Sequence, residues 1–368
     1  MIGPLRDALV AGDGFTQLPL PARVTFGAGA LDRLPELVDA LGARRVLVVA
    51  GASRAPLVER VRALLGARCV GVETRVAMHV PAPLADAVRA DAERVGADLT
   101  LAVGGGSAIG MAKAIALGGG PPCAAVPTTY SGSEMTPIWG VTRDGTKETG
   151  RDERVRPRAV LYDPALTLTL PPRLSGPSLL NAAAHCVEAL YAPDAGPLVL
   201  LAAAEGLRAI AASLPRVLRA PHDLLGGRVE ALYGAFLGGL ALGASTMGLH
   251  HKLCHVLGGT FGLPHAETHA VVLPYAAAYN APAAREAMAV AAEALGAVDV
   301  PNALHALLAD VAATTSAPSS LRALGLRHDD VARVAELAAA RPYPNPRPVV
   351  PELLRAQLER AFDGVPPA

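Results

Sequence analysis

Neither sign of charge prevails in this chain, cysteine is scarce, and no leader-like segment opens it. Lys and Arg total 33 against 33 Asp and Glu in 368 residues, a formal charge of zero. That balance removes the basic footprint by which proteins hold nucleic acid or anionic membrane, and leaves a small molecule as the default partner. The cysteines, Cys69, Cys123, Cys186 and Cys254, are scattered without a CxxC pair. Neither a disulfide framework nor a thiolate zinc site is expected, and a reducing cytoplasm suits them. Residues 1–20 carry Asp7 and Asp13 and lack the charged-then-apolar order of an export signal, so the expected location is cytoplasmic. One long uncharged run does occur, at 231–249, close to the ~20 residues that span a bilayer. It contains Gly234, Gly238, Gly239, Gly243 and Gly248 and is followed by His250-His251-Lys252. It reads as a buried, glycine-rich core helix and not as a membrane segment.

What is present is a large apolar fraction, 51% of the residues. Single cores stop growing near ~250–300 residues, so two domains are expected. In the first half short apolar runs at 45–50, 99–103, 123–126 and 159–162 alternate with helical patterns at 29–41, 55–65, 84–95 and 107–117. Continuous apolar strands spaced by helices predict a parallel sheet covered on both faces, a Rossmann-like α/β domain over residues 1–165. From 166 to 368 the character is helical: 174–214 and 229–257 are long and rich in alanine and leucine, and 351–362 forms a last helical pattern after a proline-dense connector. A ligand is expected in the cleft between the two halves.

Gly104-Gly105-Gly106-Ser107 follows an apolar strand and opens a helix, the place where backbone N–H groups and the helix dipole face a pyrophosphate. It is not GxGxxG, whose third glycine would fall on Ile109, and adjacent glycines also suit a tight turn. A second loop, PTTYSGSE at 127–134, carries the hydroxyls of Thr128, Thr129, Ser131 and Ser133, which reach ribose and phosphate without bulk. Alone it reads equally as a Ser/Thr turn. The two loops at the ends of neighbouring strands together predict a dinucleotide site. Histidines then concentrate at His185, His250, His251, His255, His265 and His269. Asn181 and His185, and likewise His251 and His255, stand four apart and share helix faces. Taken singly, His250 and His269 read as satisfied core groups; several histidines converging on one place point to a metal site or a proton-transfer cluster.

These residues resemble the iron-containing, or group III, alcohol dehydrogenases, and within that family the maleylacetate reductase branch. The resemblance runs from ARVTFGAG at 22–29 through GGGS and PTTYSGSEMTP to KETGRD at 147–152, LHHKLCH at 249–255, LPHAETHA at 263–270 and YPNPRP at 343–348. It implies a dinucleotide-binding α/β domain followed by an all-helical domain, an architecture shared with dehydroquinate synthases. Its cofactor contacts fall on Gly104, Gly105, Gly106, Ser107, Thr128, Thr129, Ser133 and Lys147. Metal-dependent members hold a cation with one Asp and three His, and those places fall on Asn181, His185, His251 and His265, with His255 matching a further histidine near the nicotinamide. Asn181 departs from that pattern, because three imidazoles and an amide leave a divalent cation without a negative ligand. Gly110 likewise replaces an Asp common after GGGS in the wider family.

The implied function is NADH- or NADPH-dependent reduction of the C=C bond of maleylacetate to 3-oxoadipate, in aromatic-compound degradation and without metal. The expected catalytic residues are His185, His251, His255, His265 and Asn181. Lys252, Arg151 and Arg143 are candidates for holding the substrate's carboxylates. Residues 51–54, GASR, offer no carboxylate to a ribose 2′-hydroxyl, while Ser53 and Arg54 tolerate a 2′-phosphate, so both dinucleotides are expected. The alternatives are a metal-dependent alcohol or aldehyde dehydrogenase that keeps its cation despite Asn181, a reductase of another enone or keto acid, and a lyase. A homodimer is expected from the resemblance.

Overall fold

The computed structural model describes residues 23–223 and 227–368. Ala22 of the first motif, and the residues 1–20 read for an export signal, lie outside them. The chain divides into two compact units, one ending at Leu170 and the other beginning at Pro171.

The first unit is built on a six-stranded sheet of β1 (Val24–Phe26), β2 (Val46–Val49), β3 (Cys69–Glu73), β4 (Leu99–Gly104), β5 (Cys123–Pro127) and β8 (Val160–Tyr162), in the order β1-β8-β5-β4-β2-β3. Every pairing is parallel. β2, β4, β5 and β8 are buried along their whole length, which is why they were legible as continuous apolar runs. The helices are α1 (Leu34–Ala40), α2 (Ala55–Leu65), α3 (Ala82–Arg94) and α4 (Gly106–Leu117). From β2 the chain turns one way to β3 and the other way to β4 and β5, so the topological switch lies between β2 and β4. In such sheets ligands bind beyond the carboxyl ends of the strands. The β4–β5 register sets Gly104 opposite Pro127, so the glycine and hydroxyl loops leave the sheet side by side.

Three features of this unit depart from the expected pattern. β1 and β3 are edge strands, short or interrupted by Gly71 and only partly buried, and give no apolar run. An antiparallel hairpin of β6 (Ile138–Arg143) and β7 (Thr146–Arg151) follows the hydroxyl loop; β7 reads TKETGR and is almost wholly exposed. The helix expected at 29–41 is a 3₁₀ turn, Ala30–Arg33, leading into α1.

The second unit is helical: α5 (Pro172–Leu190), α6 (Pro197–Arg219), α7 (Val229–Gly243), α8 (Leu249–Phe261), α9 (His265–Asn280), α10 (Arg285–Leu295), α11 (Val300–Thr315), α12 (Val331–Ala339) and α13 (Pro351–Asp363). The two long helical stretches of the sequence are each a pair of helices. Breaks fall at 191–196, which contains Pro193 and Gly196, and at 244–248, which ends on Gly248. The uncharged run at 231–249 is therefore not one helix. Its glycines permit close packing: a Cβ at Gly234 would lie 2.8 Å from Ile210 Cγ1 of α6, and one at Gly238 would lie 2.7 Å from the Ala182 carbonyl oxygen of α5. Among the described residues one helix, α6, is long and apolar enough to cross a membrane by length and composition; 56% of its apolar window is buried, against α5 and α7 among others.

A backbone carbonyl cannot give way as a flexible side chain does, so Gly238→Ala must push α5 and α7 apart. The expected cost is about 1–3 kcal/mol of unfolding free energy, measured by urea denaturation. Unchanged stability would mean that the two helices are less tightly opposed.

Candidate active site

In the α/β unit the glycine loop and the hydroxyl loop fold onto each other. Gly104 has φ +153°, a conformation open to glycine, and its carbonyl accepts the Thr128 N–H at 2.9 Å. A Cβ at Gly105 would meet Thr129 Cγ2 at 2.8 Å and Oγ1 at 3.0 Å, so Thr129 lies directly over this glycine. A Cβ at Gly106 would lie 3.7 Å from Ser131 Oγ. The hydroxyl oxygens of Thr128 and Thr129 are buried without a partner among the described residues. They border the first turn of α4, whose leading N–H groups have no intrahelical acceptors. Two unpartnered hydroxyls and a bare-glycine cradle at a helix N-terminus fit the pyrophosphate of a dinucleotide.

Of the other residues expected on the cofactor side, Ser107 lies in the first turn of α4 and Ser133 closes the hydroxyl loop, its carbonyl accepting from Lys113 at 2.6 Å. Lys147 stands on β7 and crosses the hairpin over Gly140, its Cε 3.4 Å from where a Cβ would sit. Partial desolvation holds its pKa below the ordinary lysine value. At Gly110 a Cβ would lie 3.0 Å from Val80 Cγ2, so Val80 fills the space that a side chain there would need.

The helical unit gathers the histidines. Asn181 and His185 lie one turn apart on α5, both buried. His250 and His251 open α8, and His269 lies on α9, all buried. The His251 ring centroid is 5.2 Å from those of His185 and His250 and 5.0 Å from that of His269. His255 and His265 are exposed at the edge of the group, 6.4 Å from His251 and 4.2 Å from His269 respectively. Asn181 Oδ1, His185 Nδ1, His251 Nε2 and both ring nitrogens of His269 are buried without a partner among the described residues. Five such atoms in one cluster mark a place built to meet a polar ligand.

His250 is a satisfied core group, as its setting in the sequence suggested: its Nε2 lies 2.9 Å from the His269 carbonyl oxygen, to which it donates. His269 is not, since neither nitrogen is engaged.

A carboxylate that the sequence reading passed over organises this cluster. Glu188 is fully buried on α5, one turn beyond His185. Its oxygens accept the N–H groups of Gly248, His250 and His251 at 3.1, 2.9 and 3.2 Å, closing the N-terminus of α8, while Oε2 lies 2.7 Å from His251 Nδ1. Tyr191 donates its hydroxyl to Oε1 at 3.2 Å. Asn345 of the proline-dense segment accepts the neighbouring Leu249 N–H at 3.1 Å and is paired with Asn280. Burial pushes the Glu188 carboxyl up, and the helix-end amides pull it back toward the ionised form. Burial, with the neighbouring His255 and His265, holds His251 well below the ordinary histidine value. Glu188 thus accepts the Nδ1 proton of a neutral His251, whose Nε2 lone pair faces the unpartnered groups.

Neutral histidines buried in this way make stability depend on pH. Burial, and the adjacent His251, lower His250 to about 4, while an unfolded histidine titrates near ~6.5. The unfolded chain therefore binds more protons between these values, so the contribution is fully present above ~6.5 and is lost as pH falls toward 4. About 3 kcal/mol is expected to go with His250 alone. Urea denaturation of metal-free protein at pH 8, 6 and 5 checks this; a flat profile would show that the cluster is protonated or solvated in the folded state.

Could these residues hold a cation? Nitrogens of His250, His251 and His269 lie within 4.8 Å of one another, but one nitrogen of His250 already donates to a carbonyl. The other set, Asn181, His185, His251 and His265, is neutral too, and Glu188 is engaged by amides and by His251. Imidazoles alone can hold Zn²⁺ or Fe²⁺, but this set lacks the negative ligand of an Asp-and-three-His arrangement, so a cation is held more weakly here than with a carboxylate at position 181. Of the expected substrate cations, Lys252 lies on α8 with Nζ 6.0 Å from the Tyr343 ring centroid. Arg143 and Arg151 are exposed on the β6–β7 hairpin, Arg143 loosely paired with Glu148 at 3.8 Å.

The class of protein follows from these features and from likeness to known ones. Residues 21–164 match the model of the iron-containing alcohol dehydrogenases, and 177–362 that of the C-terminal domain of the Fe-containing alcohol dehydrogenase family. The chain belongs to that family, whose members are oxidoreductases using nicotinamide dinucleotides. It is 52% identical to a maleylacetate reductase of Burkholderia cepacia over 94% of this chain and 97% of the relative. It is 49% identical to that of Sphingobium indicum over 96% and 99%. Among solved structures, the crystal structure of maleylacetate reductase from Agrobacterium tumefaciens superposes with a TM-score of 0.92 at 44% identity, covering 97% of this chain and all of that one.

Proposed function

We propose that this protein is a maleylacetate reductase, converting maleylacetate to 3-oxoadipate with NADH or NADPH and without a metal ion. The observation that carries the chemistry is the charge-neutral histidine cluster ordered by Glu188; the substrate follows from near-full-length identity to maleylacetate reductases. Gly104–Ser107, Thr128, Thr129, Ser133 and Lys147 would hold the dinucleotide, which would supply a hydride for the alkene carbon β to the ketone. An enolate results, and one proton must reach the adjacent carbon to complete the saturated product.

His251 is the residue proposed to handle that proton, and its contact with Glu188 supports this. Glu188 keeps Nδ1 protonated, so a proton taken up at Nε2 creates an imidazolium beside a fixed carboxylate, as in catalytic His–carboxylate pairs. A dianionic substrate beside the ring raises its proton affinity, opposing the depression caused by burial. His185 and Asn181 within the cluster, and His265 at its exposed edge, would orient the ketone oxygen; His255 stands at the same edge. Lys252, Arg143 and Arg151 are the cations proposed for the carboxylates. The family resemblance supports a homodimer in aromatic-compound breakdown, and the unpaired cysteines Cys69, Cys123, Cys186 and Cys254 suit a reducing cytoplasm.

Oxidation of NADH and NADPH with enzymatically generated maleylacetate tests the reading, with 3-oxoadipate identified as product. Turnover of simple aldehydes in its place would return the chain to the alcohol dehydrogenases of the family.

A further inference from the structure

Lys113 is fully buried on α4, seven residues beyond Gly106, in a helix that otherwise carries small and apolar side chains. Its Nζ reaches four acceptors: the carbonyl oxygens of Ser133, Thr136 and Ile138 at 2.6, 2.9 and 2.8 Å, and Thr136 Oγ1 at 3.0 Å. All lie on the stretch that runs from the end of the hydroxyl loop into β6. Thr136 Oγ1 in turn accepts the Ile138 N–H at 3.2 Å. A second buried tie lies beside it, where Glu134 accepts from Tyr162 at 2.8 Å and from Ser131 at 3.4 Å.

An amine is a costly group to bury, and burial holds the pKa of this one down to about 7, while an apolar side chain of the same length would fill the space. What the amine adds is position: three carbonyls converge on its N–H donors at one point of the helix that bears the glycine loop. The opposite end of the same loop carries the unpartnered Thr128 and Thr129 hydroxyls, and Thr129 lies over Gly105. We propose that Lys113 is a positioning residue of the cofactor site, gripping the far end of the hydroxyl loop so that its near end meets the dinucleotide. This rests on the reading of the two loops as the dinucleotide site.

Equilibrium binding of NADPH and NADH to the full-length protein, followed by nicotinamide fluorescence, tests it alongside thermal unfolding. Lys113→Met leaves three carbonyls without their donor, and the dinucleotide Kd should rise about tenfold or more. In kinetics the KM for the dinucleotide should rise while kcat at saturation is kept. Thr136→Val, which removes one acceptor, should raise Kd less. Gly238→Ala, in the helical unit, lowers stability by another route and should leave Kd unchanged. Gly105→Ala places a Cβ against Thr129 and reports on the loops themselves. Wild-type affinity in Lys113→Met, or in Thr136→Val should the first variant fail to fold, together with loss in Gly105→Ala, overturns the role of Lys113. Wild-type affinity in Gly105→Ala overturns the loop reading on which that role rests.

Discussion

His251→Ala should lower kcat on maleylacetate by about 10²–10⁴-fold while leaving the Kd for the dinucleotide at its wild-type value. The substitution removes the one ring whose Nδ1 is fixed by a buried carboxylate and whose Nε2 faces the cluster. It takes away no group of the glycine and hydroxyl loops. Glu188→Gln should act in the same direction. Oε2 takes both the Nδ1 contact and the Gly248 and His251 N–H groups, so an amide NH₂ in its place would face all three, and one in the Oε1 position would face the His250 N–H; either orientation withdraws the charge that stabilises an imidazolium. Steady-state kinetics with maleylacetate, beside dinucleotide titrations, measure both. Undiminished turnover in His251→Ala would remove this ring from proton transfer and direct attention to His185 and His265.

Asn181→Asp should convert the cluster into a cation site, raising affinity for Zn²⁺ or Fe²⁺ by about 10²-fold. Asn181 Oδ1 is buried, lies one turn from His185, and has no protein partner among the described residues. A carboxylate there would add the negative charge that the imidazoles lack. Without a cation, the new carboxylate would share a buried region with Glu188, so the metal-free variant should be less stable than wild type. Equilibrium dialysis against each metal, with unfolding followed in chelator, gives both quantities. Equal affinity in the two proteins would show that the amide is no barrier to binding and would weaken the case for metal independence.

Much of this arrangement was legible in the residues, for identifiable reasons. β2, β4 and β5 are buried on both faces, so their sequences are unbroken apolar runs, and the glycine and hydroxyl loops beyond β4 and β5 stand out against them. β7 could not be read in that way, because a hairpin strand exposed along nearly its whole length carries no hydrophobic period. β1 and β3 lie at sheet edges, where partial burial relaxes the demand for apolar residues. The four-residue spacing of Asn181 and His185 placed them correctly on one face. Glu188 continues that face at the next turn, and the signal was there to find: a lone carboxylate in an otherwise apolar helical run. Spacing does not orient a ring, however, so the engagement of His250 and the unpartnered state of His269 became visible only through their contacts. Lys113 was equally silent, since its four acceptors come from a loop with no pattern of its own.

The central claim is that a neutral histidine cluster, and not a cation, supports reduction of an enone dicarboxylate. The most direct measurement is the rate of NADPH and NADH oxidation with maleylacetate by chelator-stripped protein, its metal content determined on the same sample, before and after addition of Fe²⁺ or Zn²⁺. The account predicts full turnover in the stripped protein and no gain on adding either ion. Activity that disappears on stripping and returns with metal would contradict it.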